Sequence, residues 1–277
     1  MPRFDLRSTT VLLTLALLAS PLCAQESVCG DPAAISIVSR PTVSSATDVT
    51  RCGTVELEYG VERQWLGNQA THSDFSGGLR FGLAPNLDFH WFAGNYLSTA
   101  DAFGTRTGYG DNWFGLKYRL LTQSRRRPSF GLLYQAKAPT GNFAAGMSSG
   151  EIDHSLAVLV SKDVRRFHFD FNAIPQLIGQ PAGAGFAHNV GFAWSTWLPV
   201  TKRMTLVAEP YGYTSGTTPA PGLASIMAGC SYQVRPRLYL DGGMDFGTTN
   251  YAPHQRVFGG ITFAVANVYT LLRPPSP

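Results

Sequence analysis

Hydrophobic and polar residues alternate along most of the chain from residue 53 onward. In one stretch Phe114, Leu116, Tyr118 and Leu120 alternate with glycine, lysine and arginine. Such alternation indicates β-strands with one apolar face, and no stretch shows convincing helical spacing. The segments are 53–66, 72–84, 87–98, 110–122, 128–138, 154–163, 166–178, 187–199, 203–214, 222–234, 237–248 and 255–267. Their lengths suit tilted membrane-spanning strands, which need about 9–11 residues.

The connections between these segments alternate in kind. Short ones lie at 84–86, 162–165, 199–202 and 234–236, with a basic fifth at 123–127. Longer ones, rich in small residues, lie at 99–109, 139–153, 179–186 and 214–221. Outer-membrane barrels have short periplasmic turns and long external loops. The pattern therefore predicts an all-β fold, a transmembrane antiparallel up-and-down β-barrel of about twelve strands.

The beginning of the chain has the features of a secretory signal. Arg3 and Arg7 supply positive charge, an apolar core follows, and a cleavage region ends at Ala24. Leu22 precedes Cys23, where a lipoprotein signal carries a small residue, which argues against lipidation. We predict a cleaved signal peptide (1–24), a short periplasmic N-terminal segment (25–52), the barrel (53–267) and a proline-rich C-terminal tail (268–277). This organisation predicts that the protein is located in the outer membrane of a Gram-negative bacterium.

Composition narrows the class of protein. Only 14% of the residues are charged, against about 25% in soluble domains, and the mean hydropathy of −0.03 does not fit a bundle of membrane helices. A soluble β-sandwich would have a similar composition, but aromatic residues near the predicted strand ends favour the membrane. They are Trp65, Trp91, Tyr96, Tyr118, Tyr134, Trp194, Trp197 and Tyr232. The net charge of +4 is too small to indicate a nucleic-acid partner.

If the apolar positions face lipid, the alternate positions face the lumen. The predicted pore-lining residues are Glu56, Glu58, Arg80, Asp88, Trp113, Lys117, Arg119, Asp170, Glu209, Tyr211, Asp241 and Asp245. A lysine or arginine facing lipid at mid-depth would cost about 2–4 kcal/mol, so these charges belong inside. For any single residue we favour a structural role, pairing across the lumen. The alternative is an open lumen with a mild cation preference.

Twelve strands lie between the eight that leave a filled interior and the sixteen that leave a water channel. The lumen is therefore expected to be narrow or blocked. Segment 25–52 either folds into it as a plug or remains a loose periplasmic leader. Cys29 and Cys52 are predicted to form a disulfide in the oxidising envelope, with two free thiols as the alternative. Cys230 is predicted to pack as a small hydrophobic residue.

Several motifs resemble a known family in order and spacing. They are GYGDNWFGLKYRL at 108–120, PTG at 139–141, EPYG at 209–212, LYLDGGMDFG at 238–247 and GGITF at 259–263. The barrel family they resemble is named for the "MetA-pathway of phenol degradation". The resemblance implies an outer-membrane channel or transporter and brings no catalytic residues. The chain departs from many barrels by ending on Pro277 rather than an aromatic residue, so Phe258 and Phe263 are candidates for the assembly signal.

The predicted function is therefore passage of small solutes, in one of two versions. In the first, small polar solutes or ions diffuse through the lumen. In the second, hydrophobic or aromatic compounds are taken up through a side opening in the wall. Pro175 and Pro210 are candidate positions for such an opening, although we prefer a β-bulge at each. Outer-membrane lipid and a small-molecule solute are the expected partners, and no cofactor is expected.

Two other functions compete with transport. One is a structural or adhesive barrel that acts through its loops. The other is a lipid-modifying enzyme that uses His154-Ser155 or His72-Ser73 near the strand ends. Neighbouring residues of a strand point to opposite faces, so neither pair makes a nucleophile–base contact within itself. The scattered histidines have no metal-site spacing.

Overall fold

The computed structural model describes residues 29, 36, 38–67, 69–180, 185–215 and 221–272. These described residues form thirteen β-strands and one helical turn. The strands are β1 (Thr54–Trp65), β2 (Thr71–Ala84), β3 (Leu87–Asp101), β4 (Gly104–Gly108), β5 (Asn112–Leu121), β6 (Ser129–Ala138), β7 (Asp153–Val164), β8 (Phe167–Gly179), β9 (Phe186–Pro199), β10 (Met204–Ser215), β11 (Pro221–Arg235), β12 (Leu238–Gly247) and β13 (Gln255–Asn267). The helical turn, α1, is Val268–Leu271.

Twelve of these strands close into a single antiparallel barrel. Each strand pairs with its sequence neighbour, and β1 closes the ring by pairing with both β2 and β13. Strand β4 pairs only with the outer end of β3, at Leu97–Asp101, and so extends that hairpin beyond the ring. The predicted twelve-stranded barrel is confirmed. Strand β4 was missed because its sequence, GTRTG, has no apolar side chain to alternate.

The barrel is apolar outside and polar inside. Its largest fully buried side chains include Arg80, Lys117 and Glu209, whereas Trp194 is 53% exposed and Ile226 is 52% exposed. A water-soluble protein has the reverse arrangement, because charged side chains are almost never fully buried there. An apolar outer wall matches lipid instead. This reversal, together with ring closure, excludes a soluble sandwich.

The predicted aromatic residues divide between the two faces. Seven of the eight are exposed, and Trp197 is the exception at 9% exposure. The prediction that Trp197 faces the membrane was wrong, because this residue has the inward-facing position in the alternation of β9. Its indole nitrogen donates a hydrogen bond to Asp170 at 3.2 Å.

The end of the barrel domain folds back onto its periplasmic rim. Asn267 caps α1 by accepting hydrogen bonds from the N–H groups of Tyr269 and Thr270. The Tyr269 hydroxyl donates to the carbonyl of Leu83 in β2 at 3.1 Å. Within the described residues no helix is long and apolar enough to cross a membrane. The predicted signal peptide lies outside the described residues.

Pro175 and Pro210 each interrupt a ladder without changing its register. Pairing of β9 and β10 stops after Thr196↔Ala208 and resumes at Ala193↔Tyr211, so Pro210 falls in the gap. The β7–β8 ladder has a similar gap at Pro175. A bulge would add one residue to a strand and shift the register. The expected bulges are therefore absent from both ladders, and the missing proline N–H is the local cause.

Candidate channel lumen

Most charges on the inner wall are arranged in pairs and clusters. Arg80 contacts both Glu56 and Glu58, the latter at 2.6 Å. Because all three side chains are buried, their mutual contacts offset the cost of removing them from water. Their sequence positions explain the contact, since Glu56 in β1 is paired with Arg80 in β2.

Two further clusters lie in the outer half of the barrel. Arg256 contacts Asp245 at 3.0 Å and Glu62 at 3.1 Å. Lys137 lies 2.6 Å from Asp153 across the β6–β7 ladder. Charge-assisted contacts of this kind bridge neighbouring strands and fix the shape of the lumen.

Asp170 organises the wall near the periplasmic end. Its carboxylate accepts hydrogen bonds from Ser161 at 2.6 Å, Ser195 at 3.2 Å and the Trp197 indole at 3.2 Å. These donors come from the flanking strands β7 and β9. A buried carboxylate with several donors is a fully satisfied structural group.

Residues 38–50, the plug segment, run through the periplasmic half of the lumen. They have no regular secondary structure, so their backbone N–H groups need partners other than a sheet. Wall acids supply them. Glu209 accepts the N–H groups of Val43 and Ser44, both at 2.7 Å, and Asp88 accepts that of Thr50 at 2.6 Å.

Neutral and basic residues of the wall also bind the plug segment. Asn172 exchanges two hydrogen bonds with the backbone of Ser45, at 2.6 and 2.9 Å. Lys117 donates to the carbonyls of Ala46 and Asp48 at 3.2 and 3.0 Å. Glu209, Asp88 and Lys117 thus bind the backbone of the segment, whereas Arg119 contacts the Asp48 side chain at 3.0 Å. Of the two alternatives for 25–52, the plug is the observed one for residues 38–50.

One side chain of the plug segment occupies a slot in the wall. Arg40 lies over the paired glycines Gly60 and Gly260, and its Nε is 3.2 Å from Asp241. A Cβ at Gly60 would come within 2.3 Å of the Arg40 guanidinium, and one at Gly260 within 2.5 Å. Only glycine leaves room for this close approach.

A disulfide joins the chain before the plug segment to the start of the barrel. The structure places Cys29 and Cys52 as a bonded pair with a Cα–Cα distance of 4.8 Å. Cys52 lies two residues before β1, beside Gly82 of β2. Cys230 is a free thiol.

Two cavities lie on opposite sides of the plug segment. The periplasmic cavity, of about 510 Å³, is bounded by Thr42 and Ala46 of the segment and by His168 and Trp197 of the wall. The outer cavity, of about 420 Å³, is bounded by Arg40 and by wall residues of β2, β3, β5 and β6. The lumen is therefore divided rather than filled.

All twelve predicted pore-lining residues point into the barrel. Most are occupied by contacts with one another or with the plug segment, and their structural role stays a prediction. Trp113 lines the outer cavity, and Tyr211 donates a hydrogen bond to Asp245. That any of them lines a conducting path stays a prediction.

Sequence reasoning missed several inward-facing residues. Arg256 and Asp74 were overlooked, although each alternates with an outward apolar neighbour, Val257 and Phe75. That alternation was the available signal. The role of Arg40 had no such signal, because residues 38–50 form no strand and their docking depends on the closed barrel.

A family model described as "Putative MetA-pathway of phenol degradation" matches residues 39–265. The chain belongs to this family. The resemblance predicted from the motifs is confirmed, and the match begins within the plug segment. No match to a curated protein sequence was found.

Solved structures with a similar fold are outer-membrane barrels. An outer membrane channel from Pseudomonas putida F1 has a TM-score of 0.60 and 14% identity, covering 81% of this chain and 99% of that one. The "CymD monoaromatic hydrocarbon channel" has a TM-score of 0.41 and 10% identity, covering 77% and 88%. LpxR from Salmonella typhimurium has a TM-score of 0.48 and 9% identity, covering 75% and 99%. At these identities the likeness concerns the fold alone.

Proposed function

We propose that this protein is a passive channel for small solutes in the outer membrane of a Gram-negative bacterium. The observation that carries the proposal is a closed barrel whose lumen retains a cavity on each side of the plug segment. A barrel that served only as a structural support would not need these spaces. The channel named among the similar folds and the family membership support the same conclusion.

The inner wall favours neutral and partly apolar solutes over ions. Its charges are largely paired, as in the cluster of Arg80 with Glu56 and Glu58. Apolar side chains also face inward, and Leu159 and Met227 are completely buried there. A permeating ion would meet few unpaired charges to replace its water. We therefore infer that small neutral compounds, including aromatic ones, are the preferred solutes.

A side route for hydrophobic compounds has one specific observation in its favour. A groove of about 420 Å³ lies at the Pro210 gap, and its lining includes the lipid-facing Phe192 and Trp194 and the inward-facing Ala193 and Tyr211. Replacing Pro210 with valine would restore the missing N–H and allow the ladder to close. We expect slower whole-cell uptake of a labelled aromatic hydrocarbon by the P210V variant. Unchanged uptake would contradict this route.

We also infer that the protein is not an enzyme. His154 accepts or donates a 2.8 Å hydrogen bond with Tyr134 on the outer face, whereas Ser155 is buried on the inner face. His72 is engaged with Thr99 at 3.0 Å. Neither histidine contacts its neighbouring serine, so neither pair has the geometry of a nucleophile and its base.

Swelling of proteoliposomes in an isotonic sugar solution tests the channel proposal. Liposomes containing the refolded mature protein should swell in arabinose faster than protein-free liposomes of the same lipid. Folding is checked independently by the altered gel mobility of the unheated barrel. A folded barrel that gives no swelling, with a known porin as the positive control, would contradict the proposal.

A further inference from the structure

Exposed basic side chains are concentrated at the periplasmic end of the barrel. The turns after β5, β7, β9 and β11, with the strand ends beside them, contain nine exposed arginine and lysine residues. In the described residues the outer end has two, Arg63 and Arg106, and Arg106 pairs with Asp101 at 2.9 Å. The nine periplasmic bases form a basic arc, whose members are Arg125, Arg126, Arg127, Arg165, Arg166, Lys202, Arg203, Arg235 and Arg237.

The basic arc has no acidic partners within the protein. None of its members forms an ion pair with a residue in the described part of the chain. Asp163, the exposed acid at the end of β7, is occupied by His168 at 2.7 Å and by Gln123. Like charges on one rim repel each other. An anionic surface placed against the arc would therefore be attracted to it and would stabilise the folded barrel.

The four turns of the arc follow one another along the rim and are held by their backbones. Strands β5 to β12 are consecutive neighbours in the sheet. The Lys162 ammonium, near the end of β7, donates to the carbonyls of Arg125 and Arg127 at 3.4 and 3.2 Å. The N–H of Gln233 in β11 donates to the carbonyl of Arg203 at 2.7 Å. These contacts use the backbone of the turns, so the charged ends of the arc are presented to the surroundings from fixed positions.

The arc directly adjoins the lipid-facing surface. Leu120, Val164 and Tyr232 are exposed apolar residues near the periplasmic ends of β5, β7 and β11. The Arg166 guanidinium lies 5.6 Å from the ring centroid of Phe167. Arginine and lysine that follow an apolar membrane surface place their charged groups at the level of the lipid headgroups. The bases of the arc therefore lie where the headgroups of the periplasmic leaflet begin.

We propose that the basic arc binds anionic phospholipid headgroups of the periplasmic leaflet, along the side of the barrel formed by β5–β12. Arginine suits this partner, because its guanidinium can bind a phosphate group through two parallel hydrogen bonds. Only Arg165 and Arg166 of the arc border the periplasmic cavity. An anionic solute held in that cavity would leave the rest of the arc without a partner, whereas a lipid leaflet reaches all four turns. The inference goes beyond the proposed channel function and does not depend on passage through the lumen.

Electron paramagnetic resonance of spin-labelled lipids tests the proposal on the refolded mature barrel in phosphatidylcholine bilayers. The probes are spin-labelled phosphatidylglycerol, which is anionic, and spin-labelled phosphatidylcholine, which has no net charge. We expect the barrel to select phosphatidylglycerol about threefold over phosphatidylcholine, because each base near the headgroups adds to the attraction. The selection should largely disappear at about 1 M salt, where the Debye length is about 3 Å.

Three variants locate the effect, with the gel mobility of the unheated barrel as the check on folding. R125Q/R126Q/R127Q removes one complete turn of the arc, and we expect it to lose about half of the selection. R125K/R126K/R127K keeps the charge at the same positions and should keep most of the selection. R63Q/R106Q removes the two exposed bases of the outer end and should select phosphatidylglycerol as the wild type does.

The same measurements can overturn the proposal. A folded wild-type barrel that does not select phosphatidylglycerol would contradict it, as would equal losses in R125Q/R126Q/R127Q and R63Q/R106Q. Loss of selection in the lysine variant would show that charge is not the cause. Loss of selection when phosphate replaces chloride at the same ionic strength would assign the arc to a soluble anion instead of lipid.

Discussion

At the scale of single residues, the interior of this barrel is stabilised by buried charges that pair with one another. Arg80 is 1% exposed and contacts two buried glutamates. Removing one member of such a cluster leaves an uncompensated charge, which costs more than the pair itself contributes. The inward charges are therefore structural groups first.

The R80M variant tests this view of the wall. It leaves Glu56 and Glu58 without the guanidinium, and we expect a loss of about 3–5 kcal/mol in the free energy of unfolding. Urea unfolding in lipid vesicles, followed by tryptophan fluorescence, measures the change. The control R125M removes an exposed charge from a periplasmic turn and should change little. Similar midpoints for both variants would contradict the structural role.

Arg40 gives a second test at the same scale. In the G60V variant the new side chain would occupy the position of the guanidinium, so Arg40 would leave its slot and its contact with Asp241. We expect a more mobile plug segment and roughly tenfold faster cleavage within residues 38–50 by externally added proteinase K. A matched G104V variant lies in open space on the β4 hairpin, although its positive φ adds local strain. Unchanged cleavage in G60V would mean that the slot does not hold the segment.

At the scale of elements, the strands and the plug segment differ in how far the sequence predicts them. Strand alternation depends on neighbouring residues and on the side each faces, so all twelve barrel strands were found to within a few residues. The plug segment depends on contacts with wall residues far away in the chain, such as Glu209 and Asn172. Its composition was equally compatible with a loose leader. Alternation also placed Trp113 inside the lumen, because its neighbour Phe114 faces outward.

At the same scale, the disulfide between Cys29 and Cys52 can be tested directly. We expect non-reducing peptide mapping to yield one crosslinked peptide containing Cys29 and Cys52, with Cys230 free for alkylation. Closing a loop over a sequence separation of 23 residues is worth about 3 kcal/mol in the chain-entropy model. The C29S variant should therefore keep a folded barrel and lose part of the docking of the plug segment. Free thiols at both positions in untreated protein would contradict the pairing.

At the scale of the whole molecule, the plug segment divides the lumen of the closed barrel into two cavities, and no wide pore remains. Acids of the wall hold the segment through its backbone N–H groups, as Glu209 does for Val43 and Ser44. Weakening this docking should widen the passage without opening the wall. The account therefore predicts that neutralising a wall acid raises conductance, whereas a simple cation pore would lose conductance.

Single-channel conductance of the refolded protein in a planar bilayer measures this difference most directly. We predict small steps for the wild type and D101N, and larger or more frequent openings for E209Q and D241N, since each removes a charge that holds the plug segment. Reduced cation current in E209Q and D241N would contradict the docking role of these acids and indicate an open pore lined by free charges. Silence from all four folded barrels would contradict the prediction that weaker docking of the plug segment widens the passage.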